Sequence, residues 1–228
     1  MASGKEMLAK DTDSAEVNDG KSRDRIALVL LDRDGVLNDV DAEGVQKLSM
    51  FRLVPGVVSS LKRLSGDNFR VGIVTNQPGV AEGKLSVTDL DAMNCILKEK
   101  ATEAGIIPDN FVIEVCMHGK DSDCDCRKPK PGLVKKVVEN FKLNVRNVDF
   151  YLVGDMIREV QTLDNYYNTV LKSMGIGPKA KTTILLNWEH GRDKGHISDE
   201  LRKLVTPDYE VHSLDEALKL IQNRENGL

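Results

Sequence analysis

The chain reads as an α/β protein, a three-layer domain on a doubly wound parallel sheet. Two observations predict this. Short β-branched runs alternate with segments of helical period along most of the sequence, the pattern of successive βαβ units. Several of those runs end abruptly in carboxylates, a hydroxyl or an amide next to glycine, at the strand ends where open α/β sheets bind ligands.

The elements follow in order. Met1 to Arg25 is rich in Asp, Lys and Ser with few large apolar residues, so residues 1–25 are expected to be a disordered polar tail and 26–228 the folded domain. Strands are predicted at Ile26–Leu31, Arg70–Thr75, Phe111–Cys116, Phe150–Val153, Thr183–Leu186 and Tyr209–His212. Helices are predicted at Pro55–Leu64, Val87–Glu103, Gly132–Phe141, Arg158–Met174 and Leu214–Asn223. Pro55 suits the first turn of its helix, and Ser86 and Ser213 suit N-caps. No internal repeat appears, and no segment is left over for a large second domain.

Bulk properties narrow the function. With 228 residues, 40% of them hydrophobic, the chain can build one real core. A net charge of −4 with interspersed signs lacks the footprint of a general nucleic-acid binder. No run approaches the ~18 apolar residues of a membrane span. The N-terminus shows neither an apolar export signal nor a Gly at position 2, so a cytoplasmic protein is expected. Without heptads or a long apolar surface pattern, a monomer is expected.

Four short motifs carry chemistry. Asp32-Arg33-Asp34-Gly35 ends the first strand. Two carboxylates one residue apart are expensive to bury unless a cation neutralises them, and Mg²⁺ favours such oxygens. Asp32 is placed to attack phosphorus, and Asp34 to move protons. Thr75-Asn76-Gln77 ends the second strand, with a hydroxyl and amides suited to phosphoryl oxygens. Arg127-Lys128-Pro129-Lys130-Pro131-Gly132 offers a lysine for phosphoryl charge and a guanidinium fork for a second phosphate. Gly154-Asp155 ends a further apolar strand with another acid. Taken singly, each also fits an ordinary turn or a solvated basic loop.

Cys116-Met117-His118 and Cys124-Asp125-Cys126 bracket a short polar loop, 116–126. Three thiolates and an imidazole make a closed tetrahedral set of the structural zinc type. Zinc would fold a loop too polar to have its own core, and would fix Arg127 and Lys128 beside it. Reduced free cysteines are the alternative. Cys95 lies in a helical pattern and reads as a buried apolar residue. His190, His196 and His212 have no evident partners in the sequence.

The four motifs in this order resemble the haloacid dehalogenase (HAD) superfamily of phosphatases from Ile26 to Ile221. The resemblance implies a HAD-like sheet, Asp32 as nucleophile, Asp34 as general acid/base, and Thr75 and Lys128 as phosphate holders. It further implies Mg²⁺ on the side chains of Asp32 and Asp155 and the carbonyl of Asp34. The cysteine loop followed by Arg-Lys-Pro-x-Pro-Gly is similar to the heptose-bisphosphate and histidinol-phosphate phosphatase branch, whose members have a minimal cap. A small phosphorylated metabolite is then the expected substrate, a heptose bisphosphate first, with Asn76, Gln77 and Arg127 as candidate contacts. Histidinol phosphate, a polynucleotide 3′-phosphate end, and an inactive zinc-stabilised binding protein are the alternatives. The chain departs from the branch at Glu159, where an Asp is usual, and at Glu82, where an Arg is common. Asp39–Arg52 lacks the expected Tyr pattern, Val160–Lys181 is long, and Asn187–Gly195 is an unusual polar loop with Trp188.

Overall fold

The computed structural model describes residues 25–41, 43–190 and 205–228. The expected disordered tail, Arg25 excepted, and His196 lie outside the described residues. Arg25 itself is pinned, its guanidinium on the Asp149 carboxylate at 2.7 and 3.0 Å.

Six strands form one parallel sheet: β1 (Ile26–Leu31), β2 (Phe69–Asn76), β3 (Phe111–Cys116), β4 (Val148–Gly154), β5 (Lys181–Leu186) and β6 (Tyr209–Val211). Their order is β3-β2-β1-β4-β5-β6, so the winding reverses between β1 and β4. That reversal opens a crevice beyond the carboxyl ends of β1 and β4.

Both faces of the sheet are covered, which is why its central strands are continuously apolar. Ala27, Val29 and Leu31 of β1 pack with α1 (Val57–Leu61), α2 (Val87–Glu103) and α5 (Leu214–Glu225). Leu28 and Leu30 point the other way, toward α3 (Gly132–Asn140) and α4 (Ile157–Tyr166). The period-2 alternation of a strand thus divides one run of residues between two hydrophobic layers. Loops cross the strand ends after β1 and β2, and no inserted domain stands over them among the described residues.

The predicted β1, β3 and α2 have the observed bounds, and Ser86 and Ser213 cap their helices by accepting from Asp89 N and Glu216 N. Three expectations are corrected. Pro55 precedes its helix rather than opening it, because Gly56 is left-handed (φ +80°) and the first helical residue is Val57. The stretch after Ile157 changes pitch, from α-helix to a π-helical turn at Tyr167–Leu171 and a 3₁₀ turn at Lys172–Met174. Cys95 is exposed, because α2 buries Leu90, Met93, Leu97 and Ala101 and turns Cys95 away.

Candidate active site

β1 delivers Asp32 and Asp34 to the crevice. The backbone N–H of Asp32 still bonds Val153 O at 3.0 Å, so Asp32 is held as firmly as a strand residue. The chain then turns at Gly35, whose φ of +84° favours glycine. Arg33 O accepts from the amides of Val36, Leu37 and Asn38, which winds the turn tightly.

Asp32 Oδ1 accepts from Arg33 N at 2.7 Å and lies 2.7 Å from Lys128 Nζ. The same ammonium is 3.0 Å from Glu159 Oε1. Glu159 also pairs with Arg158 Nε at 2.8 Å. One oxygen each of Asp32, Asp155 and Glu159 lies within 4.8 Å of the others, and all three residues are buried. Burial pushes Asp32 up, and neighbouring Glu159 adds to this against the pull of Lys128. Burial works against Glu159 too, but Lys128 and Arg158 outweigh it and lower its carboxyl to about 2.

Three carboxylates face two cations here, leaving negative charge for a further cation to balance. Glu159 Oε2 is buried with no hydrogen-bond partner among the described residues. An orphaned oxygen beside two other acids fits a hard dication, which takes oxygen ligands. Gly154 makes the approach possible: a Cβ there would stand 2.3 Å from Glu159 Cβ.

The Asp34 carboxylate is held separately. Oδ1 accepts from Arg33 Nε at 2.9 Å and Asn38 Nδ2 at 3.1 Å, and Oδ2 from Gln77 Nε2 at 2.9 Å. Gln77 Nε2 also reaches Thr75 Oγ1 at 2.8 Å. Asn76 clamps the Lys128 backbone, donating to its carbonyl at 3.1 Å and accepting from its amide at 3.0 Å. Arg127 is half-buried, with Nη1 buried and without a hydrogen-bond partner among the described residues.

Cys116, at the end of β3, meets the loop that returns toward α3. Cys116 Sγ lies 3.7 Å from Cys124 Sγ and 3.6 Å from His118 Nδ1, and His118 Nδ1 is 3.2 Å from Cys126 Sγ. Zn–S bonds of about 2.3 Å in a tetrahedron require S···S edges of about 3.8 Å, so the spacing suits zinc. Burial pushes the Cys126 thiol up to about 12, with the neighbouring Cys116 and Cys124 adding to it. A bound dication would reverse that preference by stabilising the thiolate.

The candidate catalytic, phosphate-binding and metal residues thus gather at the strand ends or in the adjoining loops, whereas Cys95 lies on the exposed side of α2. Glu159 was visible only as a departure, and its buried partnership with Lys128 was not. Arg33 and Asn38, which hold Asp34, were missed, since neither carries a motif signal of its own. His190 and His212 do have partners, the first on Asp39 Oδ1 and the second on Asn187 O. Trp188 Nε1 donates to Gly35 O at 2.8 Å, bracing the first motif from the end of β5.

Comparison with known proteins gives the family and the fold. A family model described as Polynucleotide kinase 3 phosphatase matches residues 31–174. A D-glycero-β-D-manno-heptose-1,7-bisphosphate 7-phosphatase of Pseudomonas aeruginosa is 35% identical over 135 residues, 59% of this chain and 74% of the relative. The enzyme of the same name from Pseudomonas putida is 39% identical over 129 residues, 56% and 71% of the two chains. The crystal structure of a D,D-heptose 1,7-bisphosphate phosphatase from B. bronchiseptica, complexed with magnesium and phosphate, superposes with a TM-score of 0.67. That match covers 87% of this chain and 99% of the other at 22% identity, and it speaks for the fold.

Fold and relatives together define a phosphatase of the HAD superfamily, a phosphoric monoester hydrolase by class. The chain belongs to the family described as Polynucleotide kinase 3 phosphatase.

Proposed function

We propose that the chain is a Mg²⁺-dependent phosphomonoester hydrolase that works through an aspartyl-phosphate on Asp32. Its first candidate substrate is D-glycero-D-manno-heptose 1,7-bisphosphate, the substrate named for the relatives. The observation that carries this reading is Asp32 at the end of β1, 2.7 Å from Lys128 and grouped with Asp155 and Glu159.

An Asp32 carboxylate oxygen attacks phosphorus as the bond to the substrate oxygen breaks. Asp34, protonated, gives its proton to the departing oxygen. Asp34, now ionised, takes a proton from water. The resulting hydroxide attacks phosphorus, releasing inorganic phosphate and regenerating the Asp32 carboxylate. Thr75 Oγ and Lys128 Nζ hold the phosphoryl oxygens, and Gln77 keeps Asp34 and Thr75 in register. Asp32, Asp155, Glu159 and the Asp34 carbonyl would hold Mg²⁺, which supplies positive charge against the phosphoryl group when bound. Arg127 reads the second anionic group, with Asn76 at the same wall. Cys116, His118, Cys124 and Cys126 would hold a structural Zn²⁺, which would fix the loop before Arg127 and Lys128. Four cysteines outside any disulfide accord with the reducing cytoplasm, the setting we infer.

Phosphate release by the purified protein with Mg²⁺ tests the reading. The panel holds heptose 1,7-bisphosphate, fructose 1,6-bisphosphate, histidinol phosphate and a 3′-phosphorylated oligonucleotide, with Asp32→Asn as control. Preference for the heptose ester supports both reaction and substrate. Preference for the oligonucleotide, the second reading favoured by the family match, keeps the reaction and replaces the substrate. Equal release by Asp32→Asn would remove the nucleophile assignment.

A further inference from the structure

A cavity of about 400 Å³ opens beside Asp34, Asn76 and Gln77. Its size suits a small metabolite. The far wall is crowded with charge. Glu82 and Lys84 come from the loop after β2, Glu43 from the loop after β1, and Lys120 from the cysteine loop. Lys84 Nζ is 2.8 Å from Glu82 Oε2. Lys120 makes no ion pair among the described residues, and Arg127 keeps a buried Nη1 without a partner.

Lys84 and Lys120 line the cavity as cations that a second phosphate on the substrate would need, and Arg127 follows from the end of the cysteine loop. Glu82 already holds one of them: the hydrogen bond from Lys84 keeps its carboxyl below the usual range, and the charges of Lys120 and Arg127 act in the same direction. Glu82 is therefore an anion built into the cavity wall and already paired with Lys84. A neutral hydroxyl-bearing end can enter without disturbing it. A second phosphate must draw Lys84 away and lie against Glu82 and Glu43, both of its own sign.

We propose that Glu82 is a specificity-determining residue that stands in for a second anionic group and weakens selection of bisphosphates relative to monophosphates. This rests on the phosphatase reading above and adds to it a rule for the distal end of the substrate.

The test compares D-glycero-D-manno-heptose 1,7-bisphosphate with the 7-monophosphate, which shares the reacting group and lacks only the distal phosphate. The quantity read is the ratio of kcat/KM for the two sugars. In Glu82→Gln the ratio in favour of the bisphosphate should rise about tenfold, the scale of one like-charge contact removed from a cleft. In Lys84→Gln it should fall. Opposite signs are required, because both variants break the same ion pair and a purely structural pair would move the ratio the same way in each. An unchanged ratio, or a parallel change in both variants, overturns the proposal while leaving the phosphatase reading intact. A parallel loss on both sugars in Glu82→Gln also overturns it, since that would mark Glu82 as a direct ligand of the sugar. Wild-type protein that releases no phosphate from either sugar overturns the sugar substrate on which the rule rests, and the rule falls with it.

Discussion

Lys128 Nζ and Glu159 Oε1 form an ion pair of 3.0 Å in which neither side chain is reached by solvent. A buried pair is costly to break from one side, because the remaining charge keeps its desolvation penalty. Glu159→Gln should raise the Mg²⁺ concentration for half-maximal activity by about 10- to 100-fold, the range seen when groups supporting a metal site are lost. A magnesium titration of the two proteins checks this. An unchanged midpoint would separate Glu159 from the metal.

Asp32→Asn should abolish turnover and leave the fold intact. Burial disfavours the charged form of Asp32, so a neutral amide of the same shape does not add to the desolvation penalty. Thermal melting should show a midpoint near or above that of the wild type. A large drop would mean that the Asp32–Lys128 pair is itself a main support of the fold.

Asp34→Asn should lower kcat by about 10²- to 10⁴-fold, the usual contribution of a general acid/base. The amide still accepts from Arg33 and Asn38 through its oxygen, so the turn survives. A substrate with a highly acidic leaving alcohol should lose far less, since its departure needs no proton. Equal losses on both substrates would remove Asp34 from the proton transfer.

Zinc-replete protein should contain one zinc per chain and expose one fast-reacting thiol, Cys95, of its four. Chelation should release Cys116, Cys124 and Cys126 to a thiol reagent and lower the melting temperature. Activity should fall with them, because the same loop carries Lys128. Four thiols reacting at one rate before chelation would argue against a metal in this cluster.

The pair Arg63–Asp215, at 2.8 and 3.0 Å, ties the turn after α1 to the start of α5. The hydrogen bond from Arg63 lowers the Asp215 pKa. Its contribution is therefore complete above the unfolded value of about 3.9 and is lost as pH falls through the lower folded value. Asp215 is half exposed, which holds the effect below about 1 kcal/mol. Denaturant unfolding of Asp215→Asn should show that small deficit at pH 7 and a progressively smaller one as the pH falls below the unfolded value.

The sheet was legible because its central strands are apolar throughout and bounded by turn residues. Asp32, Asp34 and Asp155 were legible because strand ends are where such residues have few structural reasons to be. What escaped is what depends on three-dimensional neighbours. Nothing in the sequence says that Asn76 clamps the backbone of Lys128, fifty-two residues away, or that Gln77 bridges Thr75 and Asp34. Cys95 was misplaced because an apolar residue within a helical run does not declare its face when the helix is weakly amphipathic. His190 looked solitary because Asp39, its partner, belongs to a distant loop.

Trp188 is the only tryptophan in the chain, and its indole N–H rests on the carbonyl next to Asp34. The protein thus carries its one indole fluorophore within hydrogen-bond reach of the turn that holds Asp34. Excited at the red edge, where the four tyrosines do not absorb, its emission reports on that turn without a label, so occupancy of the crevice by a phosphate analogue can be followed in real time on the native molecule.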